Sequence, residues 1–229
     1  MIGITTKKTE TATAAAGPDA LGFVLAGGQS SRMGQDKALV RLGGQPLVAH
    51  ALGILRQAGL EVQVAGQRSR LAEFAPVVED CESGRGPLGG ICAALAATSA
   101  RRAVFLPVDL PLLPASLVAF LLDHARITGN AVTVSSVNGF AQTFPAVVNR
   151  AALPALLSEL ERGSGGCFSA FQAAAASLNQ PVTVLAAELL AQSGHLVHAG
   201  GLPAALWFLN VNAPADLLRA QAHLQASIR

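Results

Sequence analysis

Short apolar runs alternate with helix-length segments through the first half of this chain, and that alternation leaves few folds open. Residues 21–25, 61–65, 76–78 and 102–108 read as strands. Between them, Pro46 suits the first turn of a helix reaching about Ala58, with Leu47, Leu52, Ile54 and Leu55 to bury and Gly59 just past its end. Residues 87–98 and 113–127 supply two more helical patterns. The run at 102–108 has no polar alternation, as a strand covered on both faces would not. A βαβα order of this kind requires a parallel sheet with helices on both sides. The period then changes: 131–137 and 143–148 flank Asn138-Gly139, the dipeptide favoured in tight hairpins, which predicts antiparallel strands added to the sheet. Helices at 151–162 and 167–178, strands near 182–185 and 206–210, and a last helix from Pro214 complete the reading. Asp216 falls in the first turn of that last helix, where a carboxylate suits the helix dipole. The expected class is three-layer α/β/α, mainly parallel.

Composition narrows the function. Hydrophobic residues make up 51% of 229 and charged ones 13%, about half the usual share, so the core is large and the surface modestly charged. A formal charge of +2 with no block of Lys or Arg gives no footprint for nucleic acid. Residues 1–20 are polar and rich in Thr and Ala, which predicts a disordered leader and neither a signal peptide nor a span. From 21 to 229 the composition does not change, so a single domain is expected. The most apolar later stretch, 103–122, carries Asp109 and three prolines and does not suit a membrane helix. Cys81, Cys92 and Cys167 are scattered and odd in number, as reduced cytoplasmic thiols are. His195 and His198 make at most half a metal site.

Residues 25–37 carry the chemistry. Leu25-Ala-Gly-Gly-Gln-Ser-Ser-Arg-Met-Gly-Gln-Asp-Lys37 follows the first strand directly. Ala26, Gly27 and Gly28 can expose peptide N–H groups to a polyphosphate, and Arg32 and Lys37 add two cations. The loop is not G-x-x-x-x-G-K-[ST], which argues against a P-loop NTPase, and it is not G-x-G-x-x-G. In open α/β sheets ligands bind beyond the carboxyl ends of the strands. Those ends present residues 27–37, 65–68, 79–90 and 107–111, so the glycine-rich and charged segments converge on one edge.

Two further segments belong to that edge. Leu106-Pro-Val-Asp109-Leu-Pro111 puts one carboxylate just past a buried strand. A lone acid there is costly to bury unpaired, so it must face a cation, a cleft or solvent, or else cap the following helix. Mg²⁺, typically held by one or two carboxylates plus substrate phosphates, suits it. Residues 79–90 form a second ligand loop whose glycines allow close approach before a helix starts at Pro87. Asp80 in that loop either accepts from a guanine edge or a ribose hydroxyl, or serves as a turn-former.

Taken in order, the first loop, Asp80, Gly86-Pro87-Leu88-Gly-Gly-Ile91, Asp109-Leu-Pro and Phe208-Leu-Asn-Val-Asn-Ala-Pro-Ala-Asp-Leu217 resemble the molybdenum cofactor guanylyltransferase family over roughly residues 20–220. The resemblance implies a Rossmann-like nucleotidyltransferase fold that joins GTP to molybdopterin loaded with Mo or W, releasing pyrophosphate. It implies that Leu25, Ala26, Gly27 and Gly28 contact the nucleotide together with Gly86, Pro87 and Leu88. It further implies that Lys37 binds phosphates with Arg32, Asp80 binds the nucleoside, Asp109 holds Mg²⁺, and Asn210 and Asn212 lie on the pterin side. Molybdenum-insertion proteins and chaperones of molybdoenzymes are the implied partners. Where the family often has Asn after its second strand, this chain has Ala65-Gly66-Gln67, and the 138–145 hairpin lacks charged residues for the pterin. Alternatives are a cytidylyltransferase on the same cofactor, a guanylyltransferase on another phosphorylated acceptor, and a non-catalytic carrier of nucleotide or molybdopterin. Leu25-Ala-Gly-Gly, rather than Leu-Ala-Ala-Gly, favours guanine over cytosine by resemblance.

Overall fold

In the computed structural model, which describes residues 18–27, 36–79, 85–163 and 165–226, the first apolar run is an interior strand of a seven-stranded sheet. This strand, β1 (Ala20–Leu25), is buried along its whole length. Leu21, Phe23 and Leu25 face one side of the sheet and Val24 the other, as alternation along a strand requires. The chain continues through a 3-10 turn (Lys37–Leu39), a small hairpin of β2 (Arg41–Leu42) and β3 (Gln45–Pro46), and α1 (Leu47–Gln57). Then come β4 (Val62–Ala65), the single turn α2 (Arg68–Leu71), β5 (Val77–Val78) and α3 (Gly86–Ala97). After β6 (Arg102–Pro107) and α4 (Ala115–Thr128) the hairpin of β7 (Val132–Val137) and β8 (Phe140–Asn149) follows. The remainder is α5 (Leu153–Arg162), α6 (Cys167–Ser177), β9 (Thr183–Ala186), α7 (Ala187–Gln192), α8 (Ala204–Trp207) and α9 (Pro214–Ala226).

The strand order is β5-β4-β1-β6-β8-β7-β9. Every neighbouring pair is parallel except the two that involve β8, so only β8 runs against the rest. The hairpin therefore adds one antiparallel strand, not two, because β7 has crossed over to run with β6. Its turn matches the sequence: Asn138 and Gly139 both have positive φ (51° and 76°), the geometry of a type I′ turn. Helices α1 and α4 with the segment from α8 to α9 cover one face, and α3, α5 and α6 the other. Among the described residues no helix is long and apolar enough to cross a membrane.

Two differences from the sequence reading are informative. Residues 206–210 were expected to form a strand, but Pro203 opens the helical turn α8 and buries Trp207 and Phe208. A short apolar run does not by itself distinguish a strand from a buried helical turn, and a proline just before it favours the turn. At the amino terminus, β1 starts at Ala20, inside the stretch read as leader. Asp19 before it accepts from Arg102 at 2.7 Å and Arg126 at 2.8 Å, tying the strand to β6 and α4. The Arg126 guanidinium, with Arg102, holds the Asp19 carboxyl below its ordinary value. Residues 1–17 lie outside the described residues.

Candidate active site

Leu25 is level with Ala65 of β4 on one side and with Pro107 of β6 on the other, so the segments that follow the three strands emerge side by side. A narrow slot opens there, lined by Leu25, Gly27, Ala65, Gly66, Gly86, Pro87 and Gly90. Small side chains make it. A Cβ on Gly90 would stand 3.6 Å from both Ala65 Cβ and Leu25 Cδ2, closing the slot from the α3 side. Gly86 has φ +65°, a left-handed conformation that lets the chain turn sharply into α3. Gly27 is exposed, with nothing within 4 Å of where a side chain would project, so its peptide is approachable.

Beside the slot, three side chains from distant parts of the sequence meet. Lys37 Nζ lies 2.8 Å from Asp109 Oδ2 and donates to Asn212 Oδ1 at 2.5 Å. Both members of the ion pair are mostly shielded, at 18% and 21% side-chain exposure, so solvent screens them little. The backbone holds each in place. Asp36 Oδ1 caps the turn of Lys37 by accepting from Ala38 N, while Asp36 Oδ2 takes Arg70 Nη1 at 3.0 Å. Val108 N donates to Leu25 O, and Val211 N donates to Asp109 O at 2.9 Å, binding the Asp109 segment to β1 and to the chain leading into α9. Asp109 does not cap the next helix, whose start at Pro114 has no side-chain cap. It faces a cation, as the cost of burying a lone acid demanded.

Asp109 Oδ1 is shielded from solvent and has no hydrogen-bond partner among the described residues. An unpaired carboxylate oxygen is a hard donor and fits Mg²⁺, which takes few protein ligands and completes its shell with water and phosphate oxygens. Among the described residues no group of three or more His, Cys, Asp or Glu could hold a metal alone.

The other expected residues divide. Leu25, Gly27, Gly86 and Pro87 line the slot. Leu88, expected at the nucleotide, is buried in the core on the α3 side of the sheet, because one residue along a helix turns a side chain through about 100°. Gly90 lines the slot in its stead. Ala26 is half-buried against the opposite core. Asn210 is exposed, and its Nδ2 donates weakly to Phe208 O at 3.4 Å. Gln67, in the position of the family's Asn, is exposed and starts α2 without a side-chain cap. Gly28, Arg32 and Asp80 lie outside the described residues. Asp36, Arg70 and Asp216 were missed as supports. The available signals were the Asp immediately before Lys37 and the place of Asp216 in the first turn of the last helix.

Among the described residues neither histidine nor cysteine joins this cluster, and Cys81 lies outside them. His195 Nδ1 bonds Ser193 Oγ and His198 Nε2 bonds Leu112 O, so the two serve separate local contacts. Burial pushes the Cys167 thiol up to about 11, which keeps it protonated and unreactive near neutrality.

Residues 22–177 match the profile of the MobA-like NTP transferase domain. A molybdenum cofactor guanylyltransferase of Rhizobium johnstonii is 35% identical over 213 residues, covering 90% of this chain and 93% of that protein. One from Xanthomonas euvesicatoria pv. vesicatoria is 50% identical over 107 residues, and that match spans only 46% of this chain and 54% of its relative. In three dimensions the chain is similar to the molybdopterin-guanine dinucleotide biosynthesis protein A of Archaeoglobus fulgidus. The TM-score is 0.71 at 20% identity, over 89% of this chain and 98% of that one. With the profile spanning most of the sheet and the Rhizobium relative aligned nearly end to end, the chain belongs to the family of MobA-like NTP transferases.

Proposed function

We propose that this nucleotidyltransferase moves GMP from GTP to the terminal phosphate of molybdopterin loaded with molybdenum or tungsten, forming the guanine dinucleotide cofactor and pyrophosphate. The observation that carries the reading is the Lys37–Asp109 pair beside a glycine-lined slot at the carboxyl ends of β1, β4 and β6. In this reading the base enters the slot, where Gly27, Gly66 and Gly90 leave room for a flat ring. The triphosphate then runs past Lys37 toward Asp109, with Arg32 and the peptide groups of Gly27 and Gly28 along it.

The acceptor's phosphate oxygen attacks the α-phosphorus in line. A new P–O bond forms as the bond to the β-phosphate bridging oxygen breaks, and that oxygen leaves on pyrophosphate with its electron pair. A phosphate monoester is already ionised near neutral pH, so no protein base need take a proton. Lys37 follows the charge that grows on the leaving group, a donor placed for the transition state. Asp109 would hold Mg²⁺ through Oδ1, and the ion would supply charge neutralisation at the α- and β-phosphates. Asp80 contacts the nucleoside, while Asn210 and Asn212 face the pterin side. The reaction belongs in the cytoplasm, downstream of molybdenum-insertion proteins and upstream of molybdoenzyme chaperones, with 21–229 acting as one domain.

Pyrophosphate release from purified protein with Mg²⁺ tests this. Release is expected with GTP only when molybdopterin is added, and at least tenfold less with CTP or ATP, equivalent to about 1.4 kcal/mol of discrimination. A preference for CTP would assign the cytidine reaction, and release without acceptor would assign a hydrolase.

A further inference from the structure

The amide that holds Lys37 is itself held. Asn212 N donates to Asp216 Oδ2 at 3.1 Å and Ala213 N donates to the same oxygen at 3.0 Å. On the other side, Val211 N is bonded to the carbonyl of Asp109. The three residues 211–213 are thus pinned between the reacting edge of the sheet and the first turn of α9, and Asn212 Oδ1 is delivered to Lys37 Nζ from that bracket. We propose that Asp216 is a positioning residue for nucleotidyl transfer: its carboxylate fixes the turn that presents Asn212 to Lys37, and so fixes where the Lys37 ammonium stands. The proposal rests on the role given above to Lys37.

An acid in the first turn of a helix commonly does no more than cap it. Here α9 has other anchors: Gly43 N donates to Gln221 Oε1 at 2.7 Å, and Ala220 is fully buried. The helix therefore does not depend on Asp216 to stay docked, whereas the aim of Asn212 does. Lys37 has a second hold through Asp109, so losing Asp216 would loosen its ammonium without releasing it. The effect should fall on turnover more than on nucleotide affinity.

The test compares Asp216→Ala, Asn212→Ala, the double variant and Asp216→Asn in the full chain, with kcat and KM for GTP in the presence of molybdopterin. Each single alanine variant is expected to lose tenfold or more in kcat with KM for GTP changed less than about threefold. The double variant should be no more than about twofold below the worse single one, since residues acting as one unit are non-additive. Asp216→Asn keeps an oxygen that can accept both N–H groups and should recover most of the activity. Multiplying losses in the double variant, or an unchanged kcat in Asp216→Ala, would overturn the proposal. Thermal unfolding of each variant shows whether it is folded; if Asp216→Ala is not, Asp216→Ser carries the comparison. A second readout does not need turnover. Lysine occurs only at positions 7, 8 and 37, so lysine-labelled protein gives three side-chain NMR signals. The Lys37 signal should shift in Asp216→Ala and Asn212→Ala and stay in place in Asp216→Asn. An unmoved signal in Asp216→Ala sinks the proposal, whereas wild-type protein that is inactive with GTP and molybdopterin sinks only the proposed function.

Discussion

Removing the Lys37 ammonium would do two things at once: take a donor from the phosphates and leave Asp109 facing no cation. Donors aimed at developing charge are typically worth 10²–10³ in rate, about 3–4 kcal/mol. Lys37→Ala is therefore expected to lower kcat by roughly that factor while GTP affinity falls much less, because in the proposed reading loop peptides and Arg32 also hold the triphosphate. Single-turnover kinetics at saturating GTP decide it: weakened binding with intact kcat would make Lys37 a uniform binder. Both members of this pair were legible in the sequence, for different reasons. Asp109 was found by the cost of an unpaired acid after a buried strand, and Lys37 by its place at the end of a glycine loop. Their direct contact was not legible, since it links positions 72 apart through the adjacency of β1 and β6. Asn212 was assigned to the acceptor side by motif, and no local pattern pointed it at Lys37. The Leu88 side chain turns into the core because a motif names consecutive residues while a helix sends their side chains in different directions.

Among the elements, the connection between α7 and α8 shows how a histidine can be used structurally. His198 stacks on Trp207 with ring centroids 6.4 Å apart, its Nδ1 accepts from Gly200 N, and its Nε2 donates to Leu112 O. That network fits the neutral ring, because a second proton on Nδ1 would face the Gly200 N–H. Burial pushes the His198 value below its ordinary 6.5, against the opposing pull of the Leu112 carbonyl. The unfolded chain therefore binds more protons than the folded one in a window below about 6.5, and the stabilisation is complete above that window and lost as pH falls through it. Thermal midpoints at pH 5 and pH 7.5 should differ more for the wild type than for His198→Gln. Equal differences would remove His198 from the account. The long amphipathic or buried elements and the Asn138-Gly139 turn could be read from pattern alone. The β2–β3 hairpin, α2 and α7 went unread because two to six residues carry too little periodicity to register, whereas the equally short β4, β5 and β9 stood out by their valines.

For the molecule as a whole, the two helical layers are joined through strands whose residues alternate between them. Phe105 of β6 is fully buried and stacks on Phe23 of β1 at 5.7 Å, at the middle of the sheet on the α3 side. Phe105→Ala should cost about 3–5 kcal/mol, which for a chain of this size lowers the melting midpoint by roughly 6–20 °C. Differential scanning calorimetry checks it, and a fall of under about 3 °C would mean that the core refills the space. The order β4-β1-β6 also sets a scale. Neighbouring strands stand roughly 4.8 Å apart, so the glycine slot between β4 and β1 and the carboxylate after β6 are separated by one to two divisions, roughly 5–10 Å. With the base in the slot as proposed, the sheet edge becomes a ruler that measures from ring to phosphorus. On that proposal a donor whose ring and α-phosphate were spaced differently would seat its base and still present the wrong atom to Asp109, and the spacing would be written in the hydrogen bonding of the backbone, where side-chain substitution cannot easily erase it.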